Sequence, residues 1–189
     1  MDVAEVTAAY LLYVVVPVWL VAGFADWLCH RASSIETTTG PKESVIHLLM
    51  LAEMGAAILL ALFFRINALV VLLMLALLVA HEITSYWDVR YATGRRRVTA
   101  FEQKVHDYLA VIPFMAFSFV VVLHWPQVAG LFDSAAPPPD FTLTFVGTNV
   151  PVPYVATLLG AVVLFELLPF AEELLRGLRA KARGERDDK

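Results

Sequence analysis

The sequence predicts an all-α integral membrane protein with five transmembrane helices. Of its 189 residues, 59% are hydrophobic, and the mean hydropathy of +0.70 lies above the range of soluble globular domains. A helix rises 1.5 Å per residue, so about 20 apolar residues cross the ~30 Å hydrocarbon core of a bilayer. Five stretches of about this length are present, at approximately residues 6–30, 43–64, 66–89, 101–124 and 152–175.

The connections between these stretches predict how the helices are arranged. We expect the first stretch to be retained and not cleaved as a signal peptide, because it lacks a basic leading region and a small-residue cleavage site. Only residues 64–67 separate the second and third stretches, which therefore form an antiparallel hairpin. The connection between the fourth and fifth contains Pro137, Pro138 and Pro139, which cannot continue a helix. We expect that loop to be irregular and outside the membrane, or to form a short hairpin at residues 141–153.

The basic residues predict the orientation of the chain. Thirteen of the 14 Lys and Arg residues lie in or beside segments that would share one membrane face, and Arg65 is the exception. Short cytoplasmic segments carry the excess of Lys and Arg in membrane proteins. We therefore expect the N-terminus outside the cell and the C-terminus in the cytoplasm. The run Arg95, Arg96 and Arg97 is interpreted as an anchor of this topology, or as a site for lipid phosphate or an anionic headgroup.

One domain accounts for most of the chain. We expect a single transmembrane helical domain over residues 1–176 and a charged, disordered cytoplasmic tail over residues 177–189. The single cysteine, Cys29, excludes an internal disulfide.

Four of the five histidines lie near a carboxylate close to one end of four predicted helices. The pairs are Asp26/His30, Glu43/His47, His81/Asp88 and Glu102/His106. Three pairs are four residues apart and one pair is seven residues apart, spacings that place both side chains on one face of a helix. Given the predicted orientation, all four pairs converge on the cytoplasmic side of the bundle.

This repetition predicts a metal site. Ionisable groups are costly in hydrocarbon. One shared cause therefore explains four such pairs at the same depth better than four separate structural causes would. Taken alone, Glu102 could be part of a helix capping box and Glu43 an acid in a first helical turn. Four carboxylates and four imidazoles exceed the ligands of one tetrahedral zinc but would balance two divalent cations. We therefore expect these eight residues to bind two divalent metal ions, iron in the first place and zinc as the alternative.

Other acids are expected near the ligands. Glu53 lies deeper in the second helix, where it would contact a ligand or carry a proton. Glu82 and Asp107 each follow a histidine and are rotated about 100° from it, so they would at most support the ligands. Glu166 in the fifth helix would close the bundle. No residue is assigned as catalytic.

Mixed imidazole and carboxylate ligation suits iron, which favours a di-iron oxidoreductase of the oxygenase, oxidase or desaturase type. Its substrate would be a lipid or another hydrophobic molecule from the bilayer, and a partner protein would donate electrons. One alternative is a zinc-dependent intramembrane hydrolase of an amide or ester lipid. A second is a bundle without enzyme activity that binds haem or transports cations. No feature indicates nucleic-acid binding.

Overall fold

The structure is a computed structural model that describes residues 1–187, with side chains over residues 1–184. Five of its helices are long and apolar enough to cross a membrane, which confirms the predicted number of long apolar helices. These are α1 (Val3–Ala32), α3 (Pro41–Phe63), α4 (Ala68–Thr93), α5 (Ala100–Leu123) and α7, whose span is Val152–Gly184. Two short helices, α2 (Ile35–Thr38) and α6 (Trp125–Ala129), lie in the connections.

Local sequence explains where the helices begin. Helix α3 starts at Pro41, whose fixed φ suits a first helical position, after Gly40 with a φ of 71°. The side chain of Asn67 accepts a backbone hydrogen bond from the first turn of α4 at 3.1 Å. Helix α5 begins with a capping box in which Thr99 and Glu102 each accept from the other's backbone N–H, at 3.1 and 3.3 Å.

Helices α1 and α7 each contain one π-helical turn. The turns are Leu11–Val15 and Val163–Leu167, and a proline follows each of them, Pro17 and Pro169. Proline has no N–H for the regular helical hydrogen bond, so the backbone around it changes its pattern. The turn in α7 contains Glu166, a buried acid.

All five long helices enclose one interior. Neighbouring helices contact each other in the order α1, α5, α4, α3 and α7, and α7 closes the ring by packing against α1. The predicted hairpin of α3 and α4 is present. The expected bundle of four helices around the polar residues is therefore completed by α7, whose final stretch, Leu168–Asp187, continues beyond the boundary predicted at residue 177. Residues 188 and 189 of the predicted disordered tail lie outside the described residues.

The loop before α7 covers one end of the bundle. It does not form the hairpin considered for residues 141–153, because its backbone bonds to the α3–α4 connection instead. The N–H of Arg65 donates to the carbonyl of Thr144 at 2.9 Å, and the N–H of Val146 donates to that of Phe63 at 2.9 Å. The polar residues discussed next lie at the opposite end of α3.

Candidate metal centre

Seven of the eight residues predicted as ligands lie in one buried cluster. Each is at most 9% exposed, and four different helices supply them. They are Asp26 and His30 on α1, Glu43 and His47 on α3, Asp88 on α4, and Glu102 and His106 on α5. Burying so many ionisable groups is unfavourable unless they are paired or bind a cation.

Asp26 lies at the centre of this cluster. Its Oδ1 is 2.9 Å from Nε2 of His106, and its Oδ2 is 3.5 Å from Nε2 of His30 and 3.8 Å from Nε2 of His47. The contact to His106 lacks the alignment of a hydrogen bond. Ligand atoms 2.0–2.2 Å from one metal ion are about 3.0–3.5 Å from each other. The atoms around Asp26 therefore have spacings close to those of atoms that share an ion.

Two overlapping groups of donor atoms emerge. In each group, one donor atom per residue lies within 4.8 Å of all the others. The groups are Asp26, His30, Glu102 and His106, and His30, Glu43 and His47. Asp88 adjoins the second group, with Oδ2 at 3.3 Å from Nε2 of His47. Several buried nitrogen and oxygen atoms here have no hydrogen-bond partner, which leaves lone pairs available to a cation.

Glu173 on α7 belongs to this cluster and was missed by the sequence analysis. Its Oε2 accepts a hydrogen bond from Nδ1 of His30 at 3.0 Å, and its Oε1 lies 3.8 Å from Nδ1 of His47. The carboxylate therefore faces the outer nitrogens of two imidazoles and leaves both Nε2 atoms directed at Asp26. Histidines that bind metals commonly have such a partner on the other ring nitrogen.

A spacing in the sequence could have identified Glu173. It lies seven residues after Glu166, on the same face of α7. The same spacing of seven residues separates His81 from Asp88 on α4. Glu166 is buried and close to α1, as expected of a residue that closes the bundle. A Cβ placed at Gly23 would overlap its carboxylate, so glycine at that position makes room for the acid.

Arg96 is buried among the acids of the cluster, unlike the two other arginines of its run. Its side chain is only 2% exposed, and its Nη2 lies 2.6 Å from both Glu43 and Glu102. Burial alone would lower the pKa of Arg96, but hydrogen bonds to the two carboxylates raise it above its usual range. The guanidinium is therefore a permanent positive charge within the cluster, whereas Arg95 and Arg97 are exposed.

The charges of the cluster do not balance with neutral imidazoles. Its buried carboxylates are Asp26, Glu43, Asp88, Glu102 and Glu173. Against these five negative charges stands one guanidinium, a local net charge of −4. Two divalent cations would neutralise this charge, whereas protonation of the three imidazoles in the cluster, His30, His47 and His106, would leave a net charge of −1.

His81 lies apart from the other histidines. Its Nδ1 is 3.8 Å from Oε2 of Glu53, and Glu53 in turn accepts a hydrogen bond from Thr84 at 2.9 Å. His81 still lines the same small cavity as Asp88, of about 110 Å³. Glu53 thus contacts a predicted ligand, as expected, but that ligand is one turn or more away from the cluster.

Glu82 and Asp107, the two remaining predicted residues, do not reach the cluster, and neither does Glu36. Glu82 is exposed. Asp107 is exposed and forms an ion pair with Lys104 at 2.8 Å. Glu36, in the connection after α1, pairs with Arg176 at 2.9 Å. Glu82 and Asp107 are exposed because each is rotated about 100° around its helix from the preceding histidine, and that histidine faces inward.

Comparisons with protein-family models, with curated proteins and with solved structures found no match to this chain.

Proposed function

We propose that this protein is a membrane-embedded di-iron oxidoreductase that acts on a lipid or another hydrophobic substrate. The observation that carries the proposal is the position of Asp26, whose two oxygens face imidazoles from three helices inside a buried cluster of net negative charge. Such a carboxylate would help to hold two ions, as the bridging carboxylates of di-metal bundles do.

The donor groups suggest how the ions would be shared. His30, Glu102 and His106 would hold one ion together with Asp26, and Glu43, His47 and Asp88 lie on the side of the second. Two divalent cations would also cancel the local charge of the five carboxylates and Arg96. The cavity beside the cluster, about 110 Å³, supports small ions over a macrocycle, because pockets for larger ligands are about 300–1,000 Å³.

The chain supplies a dry and preorganised setting for oxidation chemistry. A bound pair of iron ions would activate dioxygen, the electrons would come from a partner protein, and the oxygen atom not transferred would leave as water. Glu173 orients His30 and His47, and Arg96 holds Glu43 and Glu102 in place. The cluster is buried within the ring of helices, which restricts access of bulk water to the reacting groups.

Metal content and coupling test this proposal. We expect purified protein to contain two iron ions per chain and to give Mössbauer and EPR spectra of a coupled pair. Asp26→Asn should abolish the coupling, because one oxygen of the bridge is replaced by a poor ligand. Asp107→Asn, which changes an exposed acid on α5, should leave the spectra unchanged.

Three outcomes would overturn the proposal. One zinc ion per chain with no coupled iron would favour the intramembrane hydrolase instead. A Soret band would favour a haem protein. Failure of the intact protein to bind any divalent metal would mean that protons on the imidazoles and on the carboxylates, rather than metal ions, offset the charge of the cluster.

A further inference from the structure

A large cavity lies between the buried carboxylate and histidine cluster and the opposite end of the bundle. Its volume is about 570 Å³, which is within the range of pockets that hold a small ligand, about 300–1,000 Å³. Leu12, Ile58 and Phe117 are typical of its apolar wall. Its polar lining side chains, among the described residues, are Arg65, His124 and Asn149.

These polar residues lie together at one end. Arg65 is in the α3–α4 connection, and His124 ends α5. The Nδ2 of Asn149 donates to the carbonyls of Ala61 and Phe64 at 2.7 and 2.8 Å, which places it at the same connection. The cavity therefore has a polar end and an apolar body.

The apolar body continues to the cluster. Trp19, Met54 and Ile58 line both the large cavity and the small one that borders Asp26 and His47. The two cavities therefore adjoin, and we call the path that they mark along the bundle, from Arg65 to the buried imidazoles, the channel.

We propose that this channel binds a single long-chain amphiphile, with its anionic headgroup at Arg65 and the end of its chain at the cluster. The proposal rests on the proposed function only in taking the cluster as the reacting centre; binding in the channel does not depend on it. Such a substrate would be oxidised far from its headgroup.

The length of the channel indicates the length of the chain. Eighteen residues separate His47 from Arg65, or about 27 Å along a helix. An extended chain advances about 1.2 Å per bond. At that rate a fully extended Arg65 side chain reaches about 7 Å from its backbone. About 20 Å of the distance between Arg65 and His47 then remains for the ligand. That distance corresponds to about 16 bonds, the length of a common long-chain fatty acid.

Charge indicates the headgroup. Arg65 is the one basic residue remote from the opposite, basic end of the bundle. Its side chain is exposed and, in the part of the chain that the structure describes, makes no ion pair within 4.0 Å, although the exposed loop acid Asp140 is near enough to interact with its charge. A guanidinium forms paired, charge-assisted hydrogen bonds with a carboxylate, so an acid headgroup fits this position.

Photolabelling with two stearic acids tests the placement. One carries a diazirine near the carboxyl group and the other near the chain end, and both are applied to intact protein in nanodiscs before and after removal of metal with EDTA. The chain-end probe should label Met50, Met54 or Leu109, and the other probe should label Leu123 or Val146, with excess stearate abolishing both. The reverse map, or labelling confined to exposed helix faces, would overturn the proposal.

Variants test the two ends of the channel. Arg65→Ala should weaken competition by stearate about tenfold and leave competition by methyl stearate unchanged, whereas Arg90→Ala should affect neither. Gly55 lines the inner cavity with open space around it, so Gly55→Leu should weaken stearate binding about tenfold by filling the channel. Gly160→Leu, also in open space but outside both cavities, is its control. Unchanged binding in both Arg65→Ala and Gly55→Leu would contradict the proposal.

Photolabelling after removal of metal with EDTA separates this inference from the proposed function. Labelling of the channel in a protein that never binds iron would support the binding site and overturn the di-iron assignment. A coupled di-iron pair in a protein whose channel is not labelled would support the di-iron assignment and overturn the binding site.

Discussion

Glu173 illustrates how a single buried acid can organise two histidines. Its oxygens face Nδ1 of His30 and Nδ1 of His47, whose ring centroids are 4.4 Å apart. The hydrogen bond holds the ring of His30, the second oxygen lies 3.8 Å from the ring of His47, and both rings have Nε2 on the side of Asp26. The imidazoles are thus oriented by α7, a helix that supplies none of the predicted ligands.

Glu173→Gln should weaken metal binding about 10- to 100-fold, because loss of a carboxylate partner lowers the basicity and the order of metal-binding imidazoles. Competition with a chelator of known affinity measures the effect. Glu172→Gln is the matched control, since Glu172 is the adjacent acid and is exposed, with ion pairs only to Arg31 and Arg176 in the described part of the chain. Equal affinities in the two variants would contradict the role of Glu173.

Arg96→Ala should destabilise the metal-free protein by about 3–5 kcal/mol, because removing one partner of a buried ion pair leaves uncompensated charge on Glu43 and Glu102. Denaturant unfolding in detergent measures this free energy. Arg95→Ala removes an exposed neighbour that stacks on Tyr91 at 3.9 Å, and it should cost no more than about 1 kcal/mol. A similar small loss in both variants would show that Arg96 is not a structural cation.

At the level of helices, Glu102 shows that capping a helix and facing the site are compatible. Its Oε2 accepts from the backbone N–H of Thr99, while its Oε1 lies 2.6 Å from Arg96 and 3.8 Å from Nε2 of His30. A carboxylate has two oxygens with separate lone pairs, so both roles are fulfilled at once. The start of α5 is thereby tied to the buried cluster.

The packing of α7 against α3 depends on a close backbone contact. A Cβ at Gly177 would lie 3.1 Å from the backbone of Pro41, the first residue of α3. Gly177 is one turn after Glu173 on the same helix. The position of Glu173 therefore depends on how closely the two helices approach.

Gly177→Ala should destabilise the protein by about 1–3 kcal/mol through overpacking at this contact. Gly184→Ala lies on the same helix with nothing within 4 Å of the added Cβ, and it should stabilise the helix by up to about 1 kcal/mol. Thermal unfolding of both variants in detergent distinguishes these effects. Equal stabilisation by the two substitutions would mean that α7 does not rely on the contact.

For the whole molecule, charge and polarity divide the bundle into two ends. The end with the buried cluster carries nearly all Lys and Arg residues, and the other end is covered by the loop after α6. Between them lies the apolar channel. The proposed orientation places the basic end in the cytoplasm, as expected from the charges of short cytoplasmic segments.

Cysteine labelling of intact cells tests this orientation. In a Cys29→Ser background, a membrane-impermeant maleimide should react with Ala135→Cys, an exposed position in the loop after α6. It should react with Gly94→Cys, in the α4–α5 connection, only after the cells are opened. Preferential labelling of position 94 in intact cells would reverse the proposed orientation.

The sequence by itself determined the five spans and most of the buried cluster. Apolar length and helical spacing are local properties, so the five long helices and the inward pairing of Asp26 with His30 or Glu102 with His106 follow from residue order. The capping box at Thr99 is local in the same sense.

The tertiary structure alone decided which of the polar groups meet. Arg96 enters the cluster from a connection, and Glu173 enters it from α7, because the packing of neighbouring helices sets their rotation and depth. His81 is on a predicted inward face and lines the small cavity with Asp88, yet its Nδ1 faces Glu53 and it belongs to neither group of donor atoms. Spacing in a sequence specifies the face of one helix, whereas distances between groups on different helices depend on how those helices pack.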